Sequence, residues 1–515
     1  MSRGPRVGWL GRRDRLWTVY LPLVAAGAGT ALRLSAYLHR RSLWFDEAMV
    51  AQNIAHRSYR GLTHPLALHQ GAPVGWLWAQ RTSILAFGEN EYAWRLFPLL
   101  CGIGVLLATW AVARRLLPKP FVFVPVALAA VNTALIDYSN EAKQYETDAF
   151  AAVGLLALTL PLLDRVTPRR LAVWTAAGAV AVWFSHPAVF FAGAYTLAVV
   201  VAALLRRNVR DAVLGAAAGA AVAASFAVGY LLIVRHTNDD PVLFQYWRNA
   251  HGFPLAGQRR QWVGDALRGF LHTPAGLSPP LWLAVLLLAA GLVTYAVRRP
   301  AVPVALAVPA VLLVAAAVAQ RYPFAGRLTM GLVPLALVTA CGLLAARWRL
   351  ARVVGLAALL VVARAPADLA VERVEHPREM QEVRQALQYV RAHLQPGDKV
   401  VATGHGYAVT AYYAGLLHVP IDATVEHSPE AADCDDRDDL APAFDGGGRV
   451  WLVIAQIAPA QFYDLLARFG EVAERVDADT PTGAWAYAYT ARPAVPADVR
   501  HRQCLLLETP PPLAR

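Results

Sequence analysis

Two adjacent carboxylates stand in the run Arg41-Ser42-Leu43-Trp44-Phe45-Asp46-Glu47-Ala48, just past a long apolar segment. A carboxylate against aromatic surface at an interface is partly desolvated, which raises its basicity, so Asp46 has the setting of a general base. The competing reading makes Asp46 the N-cap of a helix that starts at Glu47. That explains one acid, not two. A second polar run, Asp137-Tyr138-Ser139-Asn140-Glu141-Ala142-Lys143-Gln144-Tyr145-Glu146, joins two apolar segments. An ordinary short connection needs only turn formers; this one mixes acids, a cation and two Tyr. A third site is His186-Pro187, between two short apolar runs, where it is either a plain turn or the polar group of a recess. The fourth is Gln320-Arg321-Tyr322-Pro323-Phe324-Ala325-Gly326-Arg327. An Arg at the head of an apolar helix either snorkels to the interface or offers its forked donors to phosphate oxygens.

The elements that must position these groups are long apolar helices. Hydrophobic residues make up 57% of the 515, charged residues only 16%, and mean hydropathy is +0.38. So few charges cannot cover a water-exposed surface, and so much apolar material excludes disorder. Crossing hydrocarbon takes roughly 20 apolar residues in a helix. Eleven runs qualify or nearly do: 16–34, 96–113, 121–136, 149–163, 171–184, 187–205, 212–234, 281–297, 301–319, 328–346 and 350–368. The first run follows five Arg and has no small-residue cleavage pattern after it, so it reads as a retained helix.

Formal net charge is +12, which in a soluble chain would suggest nucleic acid. Its distribution points instead to topology. With the N-terminus in the cytoplasm, connections 1–15, 114–120, 164–170, 206–211, 298–300 and 347–352 hold nineteen Lys and Arg. The short connections on the other side, 137–148, 185–186 and 320–327, hold three. This is the positive-inside bias, and it puts the C-terminal part outside the cytoplasm. Two outer loops are long, about 35–95 and about 235–280. Within the first, 47–60 fits an amphipathic helix, and 73–87 an interfacial or re-entrant one with Trp76 and Trp78 at headgroup depth.

The expected division is a transmembrane domain over 1–372 and an extracytoplasmic α/β domain over 373–515. In the latter, helical patterns at 376–395, 407–417 and 458–469 alternate with apolar runs at 399–403 and 449–454 and a stretch at 483–490. Cys101 and Cys341 lie in apolar runs as small core residues; Cys434 and Cys504 are either free or bridged. No thiolate zinc spacing occurs. Only three residues are Lys, which with the Ala content suggests a GC-rich bacterial coding sequence.

On this topology all four polar clusters fall on the outer side, which suggests one site beside the lipid, for a substrate that is partly lipidic and anionic. The runs LWFDEA (43–48), EYAWRLFP (91–98), YSNEAKQY (138–145) and YPFAGRL (322–328) together resemble the GT-C superfamily of membrane glycosyltransferases. The likeness is to the family 39-like branch of protein mannosyltransferases and lipid A aminoarabinose transferase, and covers most of residues 16–346. It implies a polytopic α-helical fold of about 11 spans with a small α/β domain, set in the plasma (inner) membrane of a bacterium. It also implies a sugar donor on a polyprenyl phosphate, inversion at the anomeric carbon, and an acceptor that is glycolipid, glycan or protein.

Residue by residue, the resemblance makes Asp46 the first-loop acid, a base on the acceptor or a metal ligand, and Glu47 its partner. Glu141 matches an acidic position, Lys143 stands where many relatives carry Arg, Tyr145 matches the motif's aromatic, and Arg327 suits the donor phosphate. His186 is a further substrate-binding candidate. No cofactor is assigned; a divalent metal is left open, with Asp46, Glu141 and His186 as available ligands. No GxGxxG or DxD pattern is convincing, and Thr403-Gly404-His405-Gly406 reads as a strand-to-helix turn, which fits a lipid-linked donor better than a nucleotide sugar. The alternative is a transporter or flippase of lipid-linked sugars, a class that places ionisable groups near the midplane and shows paired repeats. Neither feature is evident. A non-catalytic scaffold leaves the acid and cation clusters unexplained.

Overall fold

The computed structural model describes residues 12–235, 240–277, 280–435, 440, 442–445, 447–492 and 500–511. The chain divides into two compact units, 12–39 with 59–377 of the described residues, and 40–58 with 378–511. Residues 1–11, with most of the basic stretch before the first span, lie outside the description.

The larger unit is helical. Among the described residues, eight of its helices are long and apolar enough to cross a membrane: Leu16–Leu38, Glu91–Leu116, Tyr145–Asp164, Ala188–Leu205, Val209–Val234, Leu281–Arg298, Gly326–Ala345 and Arg349–Glu375. Shorter helices cover Lys119–Val131, Pro168–Phe184 and Val302–Val318. All eleven apolar runs are therefore helices, three of them below full spanning length. Caps explain several starts. The Asn90 carboxamide accepts from Ala93 N–H at 3.1 Å, Thr167 from Arg170 N–H at 3.4 Å with Pro168 following, and Asn208 from Asp211 N–H at 3.0 Å. Each satisfies one of the orphan donors of a helix N-terminus.

Burial separates core from perimeter. In Gly326–Ala345 the apolar window is 94% buried, against 11% in Val209–Val234. An apolar helix that leaves Val213, Leu231 and Leu232 uncovered meets lipid, not water. Trp76, expected at headgroup depth, is instead a core residue of the helix Val74–Phe87. Trp78 is half-exposed, and its indole N–H donates to Tyr59 O at 2.9 Å.

The centre of the bundle is not free of charge. Arg33 is fully buried in the first span and donates to the carbonyls of Gly29 at 3.0 Å and Ala129 at 3.2 Å. Glu146, equally buried, faces it across Gly102. A Cβ on Gly102 would meet Ser139 Cβ at 2.6 Å, Arg33 Nε at 3.1 Å and Glu146 Oε1 at 3.2 Å. Gly102 therefore keeps open the space in which the two charges face each other. A second close approach joins Leu281–Arg298 to Gly326–Ala345: a Cβ on Gly342 would stand 2.6 Å from Gly291 Cα, and one on Gly291 would strike Thr339 O.

The smaller unit holds a six-stranded sheet in the order β4-β5-β3-β1-β2-β6, with β1 Lys399–Thr403, β2 Ala423–Asp435, β3 Val450–Ala455, β4 Ala473–Asp479, β5 Ala484–Ala491 and β6 Arg500–Glu508. β1 runs parallel to both β2 and β3, and the outer pairs are antiparallel. Every residue of β3 is buried, as a strand covered on both faces requires. Helices Val383–His393, Tyr407–Leu417 and Pro459–Val472 accompany the sheet. Cys434 pairs with His501, while Gln503 and Leu505, the neighbours of Cys504, pair with Ala431 and His427. The Cys434 and Cys504 side chains, and with them the question of a bridge, lie outside the described residues.

Residues 40–58 belong to this unit, although the sequence expectation set them in a loop of the transmembrane domain. Ser42 donates from both N–H (3.1 Å) and Oγ (2.8 Å) to the Glu382 carboxylate, Leu43 N–H to Tyr413 Oη at 2.6 Å, and Phe45 N–H to Gln381 Oε1 at 2.7 Å.

Arg33 and Glu146 are buried opposite charges with no hydrogen bond between them; removing one leaves the other without its compensating field, a loss that for a buried pair costs about 3–5 kcal/mol, whereas apolar replacement of both is close to neutral. Arg33→Leu is accordingly expected to lower the melting temperature of the detergent-solubilised protein strongly, and Arg33→Leu with Glu146→Leu to recover most of the loss. Additive loss in the double variant would show that the two charges are not coupled.

Candidate functional site

The smaller unit carries the acidic pair. The helix Phe45–Ala55 begins two residues earlier than an Asp46 cap requires, with Trp44 at the N-cap. Trp has no oxygen to offer, and the capping carboxylate comes from Glu47. Its Oε2 accepts from Trp44 N–H at 3.1 Å and from Arg41 Nη1 at 3.4 Å. Glu47 is fully buried, and Asp46 is half-buried in the first helical turn. The N-cap reading of Asp46 is thus incorrect. The two acids divide the work: Glu47 closes the helix start, and Asp46 is left with no capping role.

The larger unit carries the other candidates. Asn132 starts the short helix Thr133–Tyr138, accepting from Leu135 N–H at 2.9 Å, and its amide donates to Pro274 O and Ala275 O. This fixes the chain as it enters the polar run. Lys143 N–H then donates to Glu141 O at 2.7 Å, a tight turn that leads into the helix Tyr145–Asp164. Glu141, Lys143 and Tyr145 are all buried. Lys143 Nζ donates to Gln70 Oε1 at 2.7 Å. The Tyr145 ring packs edge-on against Tyr138, with centroids 5.3 Å apart.

Arg327 meets this group from the head of the helix Gly326–Ala345. Its guanidinium carbon lies 5.4 Å from the Tyr145 ring centroid and 5.5 Å from that of Trp247. Cation–π attraction holds the guanidinium between the two rings. Arg327 thereby meets Tyr145, two residues past Lys143, and both cations stand near helix N-termini, where the backbone adds positive potential. Next to Arg327, residues His251, Trp262, Phe270, Phe324, Gly326 and Thr329 line a cavity of about 510 Å³. That falls within the roughly 300–1,000 Å³ of small-molecule sites.

His186 lies elsewhere. It lines a mostly apolar recess with Val182, Trp183, Phe226 and Tyr230, to which Glu141, Lys143 and Arg327 do not contribute. Among the described residues no group of three or more His, Cys, Asp and Glu side chains is placed to hold a metal ion.

Trp247, Gln70, Arg33 and Glu146 were not singled out from the sequence. Trp247 stands on the amphipathic helix Pro241–Asn249, in the second long loop, and its helical pattern is a signal that could have found it. Gln70 had none, because its role comes from a contact 73 residues away along the chain.

No protein-family model matches the sequence, and no curated protein sequence matches it. The structure does: the chain carries the fold of the GT-C membrane glycosyltransferases. It is similar to ArnT from Cupriavidus metallidurans, both in the apo state (16% identity, TM-score 0.52) and bound to undecaprenyl phosphate (15% identity, TM-score 0.51). Each comparison covers 92% of this chain and 98% of that one. It is also similar to the Archaeoglobus fulgidus oligosaccharyltransferase in complex with Zn and sulfate, at 14% identity and TM-score 0.50, over 91% of this chain and 72% of that one.

Burial pushes the His186 imidazole down to about 4 from its ordinary 6.5. The unfolded chain therefore binds more protons between these values, and folded stability falls as pH drops through that window. Melting temperature is expected to fall more steeply from pH 6.5 to 4 in the wild-type protein than in His186→Gln. Parallel curves would show that His186 is not desolvated in the folded state.

Proposed function

We propose that this protein is an integral membrane glycosyltransferase that moves a sugar from a polyprenyl-phosphate donor to an acceptor, with inversion, on the outer face of the plasma membrane. The observation that carries the reading is the packing of Arg327 over the Tyr145 ring, two residues past Lys143, at two helix N-termini within a lipid-facing bundle. Two cations and two helix ends suit a phosphate whose hydrocarbon tail stays among the apolar helices. A soluble nucleotide sugar would have no use for that setting. The fold shared with ArnT, bound in its structure to undecaprenyl phosphate, supports the same donor class.

The acceptor hydroxyl oxygen attacks the anomeric carbon, and the bond from that carbon to the phosphate oxygen breaks. Polyprenyl phosphate leaves as an anion and needs little protonation, because Lys143 and Arg327 stabilise the charge as it develops. Asp46 takes the acceptor proton, an assignment that rests on its sequence motif. Glu141, whose carbonyl fixes the turn at Lys143, holds that cation in place. The cavity beside Arg327 takes the saccharide part of a substrate, with His251 and Thr329 as hydroxyl partners. The acceptor class is a glycolipid, glycan or protein. No step runs through a metal. A flippase reading gains nothing from Lys143 and Arg327, which stand at helix ends.

A charge-assisted hydrogen bond contributes about 1.5–3 kcal/mol, so Lys143→Gln or Arg327→Gln is expected to lower kcat/KM about 10- to 100-fold in membranes supplied with polyprenyl-phosphate sugar. Neither variant should alter expression. Undiminished transfer in both would remove the phosphate assignment. Asp46→Asn is expected to lose roughly 10²–10⁴ of the rate through loss of general-base help. Full activity of that variant would reject the base assignment while leaving the donor site standing.

A further inference from the structure

At the other end of the helix Tyr145–Asp164, four arginines from three helices share one pocket. Arg115 ends Glu91–Leu116, Arg298 and Arg299 end and follow Leu281–Arg298, and Arg352 lies in the first turn of Arg349–Glu375. They line a cavity of about 360 Å³, with Tyr295 and Pro118 among its walls. Twenty residues of helix separate this pocket from Tyr145, about 30 Å. It is distinct from the candidate donor site.

The donors in the pocket are only partly used. Arg298 Nη1 donates to Ala345 O, and Arg352 Nε to Ala346 O at 2.7 Å. Arg299 Nη2 reaches the Asp164 carboxylate at 3.2 Å, while its Nη1 is buried and has no hydrogen-bond partner among the described residues. Arg115 makes no hydrogen bond among them. Among the described residues Asp164 is the one carboxylate paired with any of the four, and the other three guanidinium groups have no ion pair there. Arg170 and Arg206 donate to Pro161 O and Leu163 O at the same helix end and add to the potential.

Like charges held this close at a membrane boundary repel unless an anion enters. Guanidinium forks match phosphate oxygens in geometry as well as in charge. A basic pocket between the ends of apolar helices is also where a lipid headgroup can enter while its acyl chains stay in the bilayer. We propose that this pocket is a phosphate-binding site, remote from the transfer site, that takes the phosphodiester of an anionic phospholipid or a free phosphate anion. Arg299 Nη1 and Arg115 supply the open donors, and Asp164 orients Arg299.

The full chain, purified and reconstituted in nanodiscs of phosphatidylcholine with or without phosphatidylglycerol, tests this by native mass spectrometry and thermal melting. Wild-type protein is expected to retain phosphatidylglycerol over phosphatidylcholine, with about fivefold loss for each arginine removed in Arg115→Gln and Arg299→Gln. Arg115→Lys with Arg299→Lys keeps the charge and should retain part of the selectivity, which separates binding from misfolding. In lipid-free detergent, inorganic phosphate and pyrophosphate are added to the same proteins. Stabilisation of the wild type but not of the Gln variants, without phosphatidylglycerol selectivity, would assign the site to a soluble phosphate. Equal lipid retention and equal response to phosphate in wild type and Gln variants would overturn the proposal.

Discussion

Hydrocarbon does not hydrate a charge, and this one constraint governs where every ionic group of the bundle can stand. Arg33 is tolerated because backbone carbonyls and Glu146 surround it. Lys143 is tolerated because Gln70 accepts from it, and Arg327 because two ring faces hold it. Arg33 is spent on the helix carbonyls around it. Lys143 and Arg327 stand at helix ends, where the backbone adds positive potential.

The same constraint made much of the architecture legible. Long apolar runs have no stable alternative to helix in a bilayer, so all eleven appeared where the composition placed them. The alternation in the C-terminal part likewise anticipated β1, β3, β5 and the three helices beside the sheet. β2, β4 and β6 were missed; their sequences are more polar, and their strand character comes from pairing with neighbours.

The candidate site was legible by motif and not by geometry. Lys143, Tyr145 and Arg327 were named from their runs, and Arg327 packs over the Tyr145 ring. Gln70 and Trp247 come from distant loops, and no local pattern announces such partners. The placement of 40–58 failed for a related reason. Its position just past the first span suggested a loop of the bundle, but Ser42, Leu43 and Phe45 find their hydrogen bonds more than 330 residues away. The Asp46 cap failed because a carboxylate at the third helical position can do the same job from inside the helix, as Glu47 does. His186 was grouped with the others by topology alone, and a shared side of the membrane does not imply a shared cavity.

The crossing of Gly291 with Gly342 has a mechanical consequence. Most helix pairs touch through a layer of side chains that can rotate and absorb a small slip. Here backbone rests on backbone, so no cushion exists. The rod that begins beside Arg327 and finishes at the Ala345 carbonyl cannot slide without carrying its neighbour, and Arg298 grips that same carbonyl. The two segments are thereby welded into a single stiff strut running from the aromatic-flanked cation at its head to the guanidinium cluster at its foot.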